Sequence, residues 1–266
     1  MGIFDGILIC SDLDGSLRGS LVPGEKICEA NQRAIRYFQE NGGLFTIASG
    51  RYPDHILALR DLVYPNTALI ALNGSKIVDP GSGETLSEHH VDQTIFPVID
   101  EVLAAFPYEA RFLFYPTDTE KTLDFSPREY AAAKEELRKR TAYKTLIVTD
   151  TDEHGVILRD LAREKVRGTN YEAARSWPVG LEFINRAGNK GNAVKWLKER
   201  TGSSLLVAVG DYENDIPMLK AADIGYAVAN ATDEVKAAAH RVTRATNAEG
   251  AIAEIIRDLE RERTAK

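Results

Sequence analysis

The run Ile7-Leu8-Ile9-Cys10 constrains the fold more than any other stretch of this chain. Four apolar residues without polar alternation, too short and too β-branched for a buried helix, read as a strand covered on both faces. Such strands belong to parallel sheets with helices packed above and below. The run ends in Ser11-Asp12-Leu13-Asp14-Gly15-Ser16. Alternation along an extended chain points residues i and i+2 the same way. Asp12 and Asp14 therefore face one spot at the carboxyl end of the strand, where open α/β sheets hold their ligands. Two like charges there call for a cation, a proton or a phosphate chemistry. Asp14-Gly15 is also an ordinary turn dipeptide, so the pair needs support from the rest of the chain. An EF-hand loop is excluded, because Leu17, Arg18 and Gly19 lack the regular oxygen ligands it requires.

The alternation continues on both sides of a different middle. Glu25 to Glu40 carries a helical apolar face ended by Gly42-Gly43, and Leu44 to Ala48 is a second strand breaking at Ser49-Gly50-Arg51. A helix from Asp54 to Val63 and a third strand, Ala68 to Leu72, complete a right-handed βαβαβ pattern. The last third resumes it: helix Asn189 to Arg200, strand Leu205 to Val209, helix Asp215 to Ala222, strand Ile224 to Val228, then helices near Glu234 and from Ala248 to Arg263. Between them lie a hairpin over Ser75 to His89, helices over Gln93 to Phe106, Ser126 to Arg140 and Leu158 to Val166, and strands over Arg111 to Tyr115, Lys144 to Thr149 and Gly180 to Ile184. The expected architecture is α/β: a Rossmann-like parallel-sheet core, 1–83 and 186–266, with helices on both faces. An inserted α+β cap, 84–185, is read as a lid over the substrate.

Composition removes several function classes. With 266 residues the chain has room for a large core, and 44% hydrophobic and 27% charged residues are ordinary for a globular protein. A net charge of −7 argues against a dedicated nucleic-acid binder. No apolar stretch reaches the length of a membrane span, and the amino terminus is not built as a signal peptide. Cys10 and Cys28 read as reduced residues of a cytoplasmic protein, a monomer or small homo-oligomer. His89-His90 is discounted as a metal pair, since adjacent residues on extended chain point apart.

Each core strand ends in polar residues. After Asp12 and Asp14 come Ser49-Gly50-Arg51 on the second strand and Asn73-Gly74 on the third. Gly210-Asp211-Tyr212-Glu213-Asn214-Asp215 closes the fourth, and Lys190 opens the helix before it. Taken singly, Ser49-Gly50 is a plain turn, Lys190 a surface lysine and Asp215 a helix cap. Their meeting at one edge of one sheet is what makes them a site.

These residues resemble the four ordered motifs of the haloacid dehalogenase-like hydrolases, most closely the Cof-type phosphatase branch. The motifs are Asp12-Leu13-Asp14-Gly15-Ser16, Ser49-Gly50-Arg51, Lys190 and Gly210-Asp211-x-x-Asn214-Asp215. Ser16 and Ser49 stand where Thr is frequent, and each keeps the hydroxyl. The resemblance implies a phosphatase in which Asp12 attacks phosphorus and Asp14 protonates the leaving oxygen, then deprotonates water. It implies Mg²⁺ held by Asp12, the Asp14 carbonyl and Asp211, with Asp215 or Asn214 orienting Lys190 and water or reaching the ion directly. Ser49 and Lys190 would bind the phosphoryl group, with Leu13, Gly50, Arg51, Asn73 and Asn214 beside them. A dehalogenase expels halide and needs no proton, so the second acid favours phosphate chemistry. The expected substrate is a small phosphorylated metabolite, a sugar phosphate by default, with no nucleic-acid or membrane partner. A phosphomutase and a phospho-accepting signalling domain are the alternatives. Within the inserted part, Arg111, Tyr115, His154, Arg159, Arg175 and Trp177 are candidates to touch a leaving group, with surface charge or lid core the alternative for each.

Overall fold

The opening apolar run forms β1 (Ile7–Ser11), every residue of it buried. The structure, a computed structural model, describes residues 2–19 and 26–265. Helix α1 (Glu29–Glu40) turns Ile35 and Phe38 inward, and Phe38 meets Phe4 with ring centroids 4.8 Å apart. The expected start of this helix at Glu25 lies outside the described residues. Strand β2 (Leu44–Ile47) follows, then α2 (Pro53–Leu57). That second helix is shorter than its apolar spacing suggests. Past Leu57 the backbone bonds shift to three-residue spacing, as in Leu59 N–H to Ile56 O and Arg60 N–H to Leu57 O. Strand β3 (Leu69–Ala71) continues into the expected hairpin, β4 (Lys76–Val78) and β5 (Thr85–Glu88), as a three-stranded sheet β3-β4-β5.

The chain divides into two compact units, one of Met1–Ser87 and Lys190–Lys266, the other of Glu88–Asn189. The inserted unit runs α3 (Ile95–Ala105), β6 (Arg111–Pro116), β7 (Leu123–Phe125), α4 (Pro127–Leu137), β8 (Ala142–Val148), α5 (Asp152–Lys165), β9 (Tyr171–Trp177) and β10 (Gly180–Asn185). Its sheet is antiparallel in the order β7-β6-β8-β10-β9. Alternate positions build its core: Phe112 and Phe114, Ile147, Leu181 and Phe183 pack with Ile95, Ile99 and Leu158 of the helices. Two strands here, β7 and β9, have no counterpart in the sequence reading. Helix α5 also begins a turn and a half before the expected Leu158, because Thr151 caps it by accepting from the His154 N–H.

Back in the first unit come α6 (Lys190–Thr201), β11 (Leu205–Gly210), α7 (Ile216–Ala221), β12 (Ile224–Ala227), α8 (Asp233–Ala238), β13 (Arg241–Val242) and α9 (Ala251–Thr264). The central sheet is parallel, in the order β13-β12-β11-β1-β2, with Ile9 opposite Val207 on one side and Phe45 on the other. Its architecture is the expected Rossmann-like core with helices on both faces. Strand β3 joins this sheet at a parallel bridge between Ala48 and Ile70, with Ser49 N–H donating to Ile70 O at 2.9 Å, while its ladder partner is β4 of the hairpin. The carboxyl ends of β1, β2 and β11 lie side by side, and the polar residues that follow them converge there.

Candidate active site

The site is assembled around an enclosed ammonium. Lys190, the first residue of α6, is 1% exposed, and its Nζ lies 2.5 Å from Asp12 Oδ1 and 2.6 Å from Asp215 Oδ1. Such a cation is tolerated in the interior only when its donors are met by carboxylates. Burial opposes its charge, but the Asp12 and Asp215 carboxylates outweigh that and hold its proton more tightly than in water. Asp12 Oδ2 carries no hydrogen bond among the described residues. Asp215 is more fully engaged at one oxygen: Oδ2 accepts from the Asp211 and Tyr212 N–H groups at 2.9 and 3.2 Å, while Oδ1 meets Lys190. Gly210 permits this turn, since a Cβ there would stand 2.4 Å from the Asp215 Cβ.

Asp12, Asp211 and Asp215 each offer an oxygen, all within 4.8 Å of one another. Their crowding shows in their protonation. Burial first, then the Asp215 charge, pushes Asp211 up to about 7. Asp12 is likewise raised well above the usual carboxylate range, by burial and then by Asp215 and Asp211, against the pull of Lys190. Ser16 Oγ donates to Asp211 Oδ1 at 2.7 Å and fixes its orientation. Gly15, at φ +95°, lets the loop pass close by; an added Cβ would stand 2.2 Å from Asp211 Oδ2. Three anionic oxygens against one ammonium fit a hard divalent cation such as Mg²⁺.

Asp14 lies apart from this trio. Its carboxylate accepts from Arg51 Nε at 2.6 Å and from Arg18 Nη2 at 2.7 Å. Leu13 is wholly buried, and its carbonyl closes the loop by accepting from the Leu17 and Arg18 N–H groups. Ser49 and Asn73 form a second group. Asn73 N–H donates to Ser49 O at 2.9 Å and Leu72 N–H to Arg51 O at 3.0 Å, while Asn214 Nδ2 donates to Asn73 Oδ1 at 3.1 Å. Gly50 lies between Ser49 and Arg51 in this paired loop. Leu72 and Asn73 hold φ of 51° and 61°, a left-handed conformation costly for leucine, of the kind retained at functional sites.

Three residues outside the expected set belong to the site. Arg18 grips Asp14, Asn230 Nδ2 donates to Gly15 O at 2.7 Å, and Thr232 N–H donates to Asp211 O at 3.1 Å. Asn230 and Thr232 follow β12, and the rule that polar residues gather after strand ends points to them as well. The six inserted residues expected to face a leaving group are engaged within their own unit. Arg111 pairs with Asp124, His154 with Asp150, Arg159 with Asp160 and Arg175 with Asp152. Tyr115 lies under the Lys144 ammonium, and Trp177 lies against Gly180.

The sequence model of the haloacid dehalogenase-like hydrolases matches residues 9–256. Among curated proteins, the chain is 29% identical over 255 residues to the 5-amino-6-(5-phospho-D-ribitylamino)uracil phosphatase YcsE of Bacillus subtilis, covering 94% of each. It is 26% identical over 259 residues to the pyridoxal phosphate phosphatase YbhA of Escherichia coli, covering 88% of this chain and 92% of that one. Among solved structures it is similar to a haloacid dehalogenase-like hydrolase from Bacteroides thetaiotaomicron, with a TM-score of 0.70 and 25% identity. That likeness covers 96% of this chain and 99% of the other.

Proposed function

Since this chain belongs to the haloacid dehalogenase-like hydrolases and is a phosphoric monoester hydrolase of that group, we propose that it is a Mg²⁺-dependent phosphatase acting on a small phosphate monoester through an aspartyl-phosphate. The observation that carries this reading is the enclosed Lys190 ammonium bridging Asp12 and Asp215 beside Asp211.

Asp12 is the nucleophile. Lys190 holds its Oδ1, and Oδ2, without a donor among the described residues, is the oxygen that attacks phosphorus. The phosphorus–oxygen bond to the leaving alcohol breaks, and Asp14 supplies the proton that leaves with that oxygen. Asp14 then takes a proton from water as the water attacks the aspartyl-phosphate. The bond to Asp12 breaks and inorganic phosphate departs. Lys190 supplies positive charge next to the phosphoryl oxygens. Ser49, held at the paired loop with Asn73, offers its hydroxyl to the same group. Asp12, Asp211 and Asp215 would hold Mg²⁺, with the Asp14 carbonyl expected beside them; when bound, the ion neutralises charge on the transferring phosphoryl. Asp215 also orients Lys190 through Oδ1 and the Asp211 turn through Oδ2.

The substrates named for these two relatives are phosphate esters, one of a ribityl chain and one of pyridoxal, which supports a small polar alcohol as leaving group. We assign its selection to the inserted unit, the part of the chain that carries none of the four motifs. Both cysteines are free, as suits the reducing interior of a cell. Among the described residues no helix is long and apolar enough to cross a membrane. Purified protein with Mg²⁺ assayed against a panel of sugar, polyol and cofactor phosphates tests the reading. Inorganic phosphate is expected from a subset of the panel; silence across it contradicts the proposal.

A further inference from the structure

Asp14 is gripped unequally at its two oxygens. Oδ1 accepts from Arg18 Nε at 2.9 Å, Arg18 Nη2 at 2.7 Å and Arg51 Nη2 at 3.1 Å, whereas among the described residues Oδ2 accepts only from Arg51 Nε at 2.6 Å. A carboxylate oxygen has two lone-pair sites, so Oδ1 is saturated and Oδ2 keeps one open. Arg51 spans both oxygens; Arg18 binds Oδ1 alone. We infer that Arg18 is a positioning residue for the acid–base step: it fills Oδ1 and thereby fixes Oδ2 as the oxygen that exchanges a proton with the leaving group. The inference rests on the reading of Asp14 as acid and base.

Arg18 is built for such a role. Its N–H donates to Leu13 O at 3.0 Å, and its carbonyl accepts from Gly15 N–H at 3.0 Å and Asn247 Nδ2 at 2.6 Å. Its side chain is 17% exposed, and its planar fork meets one oxygen through two nitrogens. The pair is largely enclosed, and Arg51 still meets both Asp14 oxygens when Arg18 is removed. The worth of Arg18 lies in orientation, since a misaimed catalytic group costs up to about a hundredfold in rate.

The proton balance supplies a test that separates aim from mere support of the loop. When an alkyl phosphate is cleaved, the leaving oxygen takes the Asp14 Oδ2 proton. When p-nitrophenyl phosphate is cleaved, the nitrophenolate departs as a stable anion and needs none. We would measure kcat/KM with Mg²⁺ on an alkyl phosphate and on p-nitrophenyl phosphate for wild type, Arg18→Met and Arg18→Lys, with thermal unfolding to confirm folding. Arg18→Lys carries the test if Arg18→Met does not fold. The expected result is a loss of about tenfold or more on the alkyl ester against about threefold or less on the aryl ester. Lysine should recover only part, because one ammonium cannot fork. Equal losses on both esters, or no loss on either, overturn the inference. Wild-type protein inert to both esters overturns the functional reading beneath it, and is seen before any variant is compared.

Discussion

The Lys190 ammonium lies 2.5 Å from Asp12 Oδ1, and both groups are enclosed by the protein. Removing the cation strands two carboxylates, Asp12 and Asp215, that have no other full positive charge within hydrogen-bond reach among the described residues. Breaking a buried pair from one side costs about 3–5 kcal/mol. Lys190→Met is therefore expected to lower unfolding free energy by about that amount and to abolish turnover. Denaturant unfolding and phosphate release check it; a variant as stable as wild type would contradict the assigned role.

Gly15 makes a second, local prediction. At φ +95° it is held where other residues are strained, and a Cβ would stand 2.2 Å from Asp211 Oδ2. Gly15→Ala is expected to displace Asp211, weakening Mg²⁺ binding by about tenfold or more and lowering stability by about 1–3 kcal/mol. Titration calorimetry with Mg²⁺ reads the first effect and thermal unfolding the second.

The acid cluster sets the pH dependence of the metal-free protein. Asp211 is pushed up to about 7, first by burial and then by Asp215. The ordinary aspartate value is about 4. The folded state thus holds this proton more tightly than the unfolded state. Its contribution is fully present below about pH 4 and is lost as pH rises through about 7. Metal-free protein is expected to melt at lower temperature at about pH 8 than at about pH 5, with Mg²⁺ restoring more at the higher pH. A melting temperature that rises over that window without metal would contradict this account.

Ser16 offers a milder test of the same cluster. Its hydroxyl donates to Asp211 Oδ1 at 2.7 Å, a charge-assisted bond worth about 1.5–3 kcal/mol. Ser16→Ala is expected to cost no more than that, and Ser16→Thr, which keeps the hydroxyl, to cost less. Parallel unfolding measurements on the two variants decide it.

What was legible in the sequence follows from periodicity. Ile7 to Cys10 and Leu205 to Val209 announce strands buried on both faces, and their polar termini mark the sheet edge where Asp12, Asp211 and Lys190 meet. Strand β9 was not legible: Tyr171-Glu172-Ala173-Ala174-Arg175-Ser176-Trp177 has no β-branched residue, and its pairing with β10 makes it a strand. The short third strand reads as core because it completes the βαβαβ pattern; it does bridge Ala48 in parallel through Ile70, but its ladder is with β4, a pairing that composition does not encode. Arg18 was invisible for a different reason. Its guanidinium reaches Asp14 only because the Gly15 turn folds the chain back on itself, a relation that spacing does not encode.

The central claim, that the Asp12 carboxylate attacks phosphorus, is tested most directly by Asp12→Asn. Phosphate release with Mg²⁺ from the best substrate of the wild-type protein is the measurement, made on variant shown to be folded by its thermal transition. The account predicts no release above background, because an amide cannot form the aspartyl-phosphate. A folded Asp12→Asn protein that still turns over would contradict it.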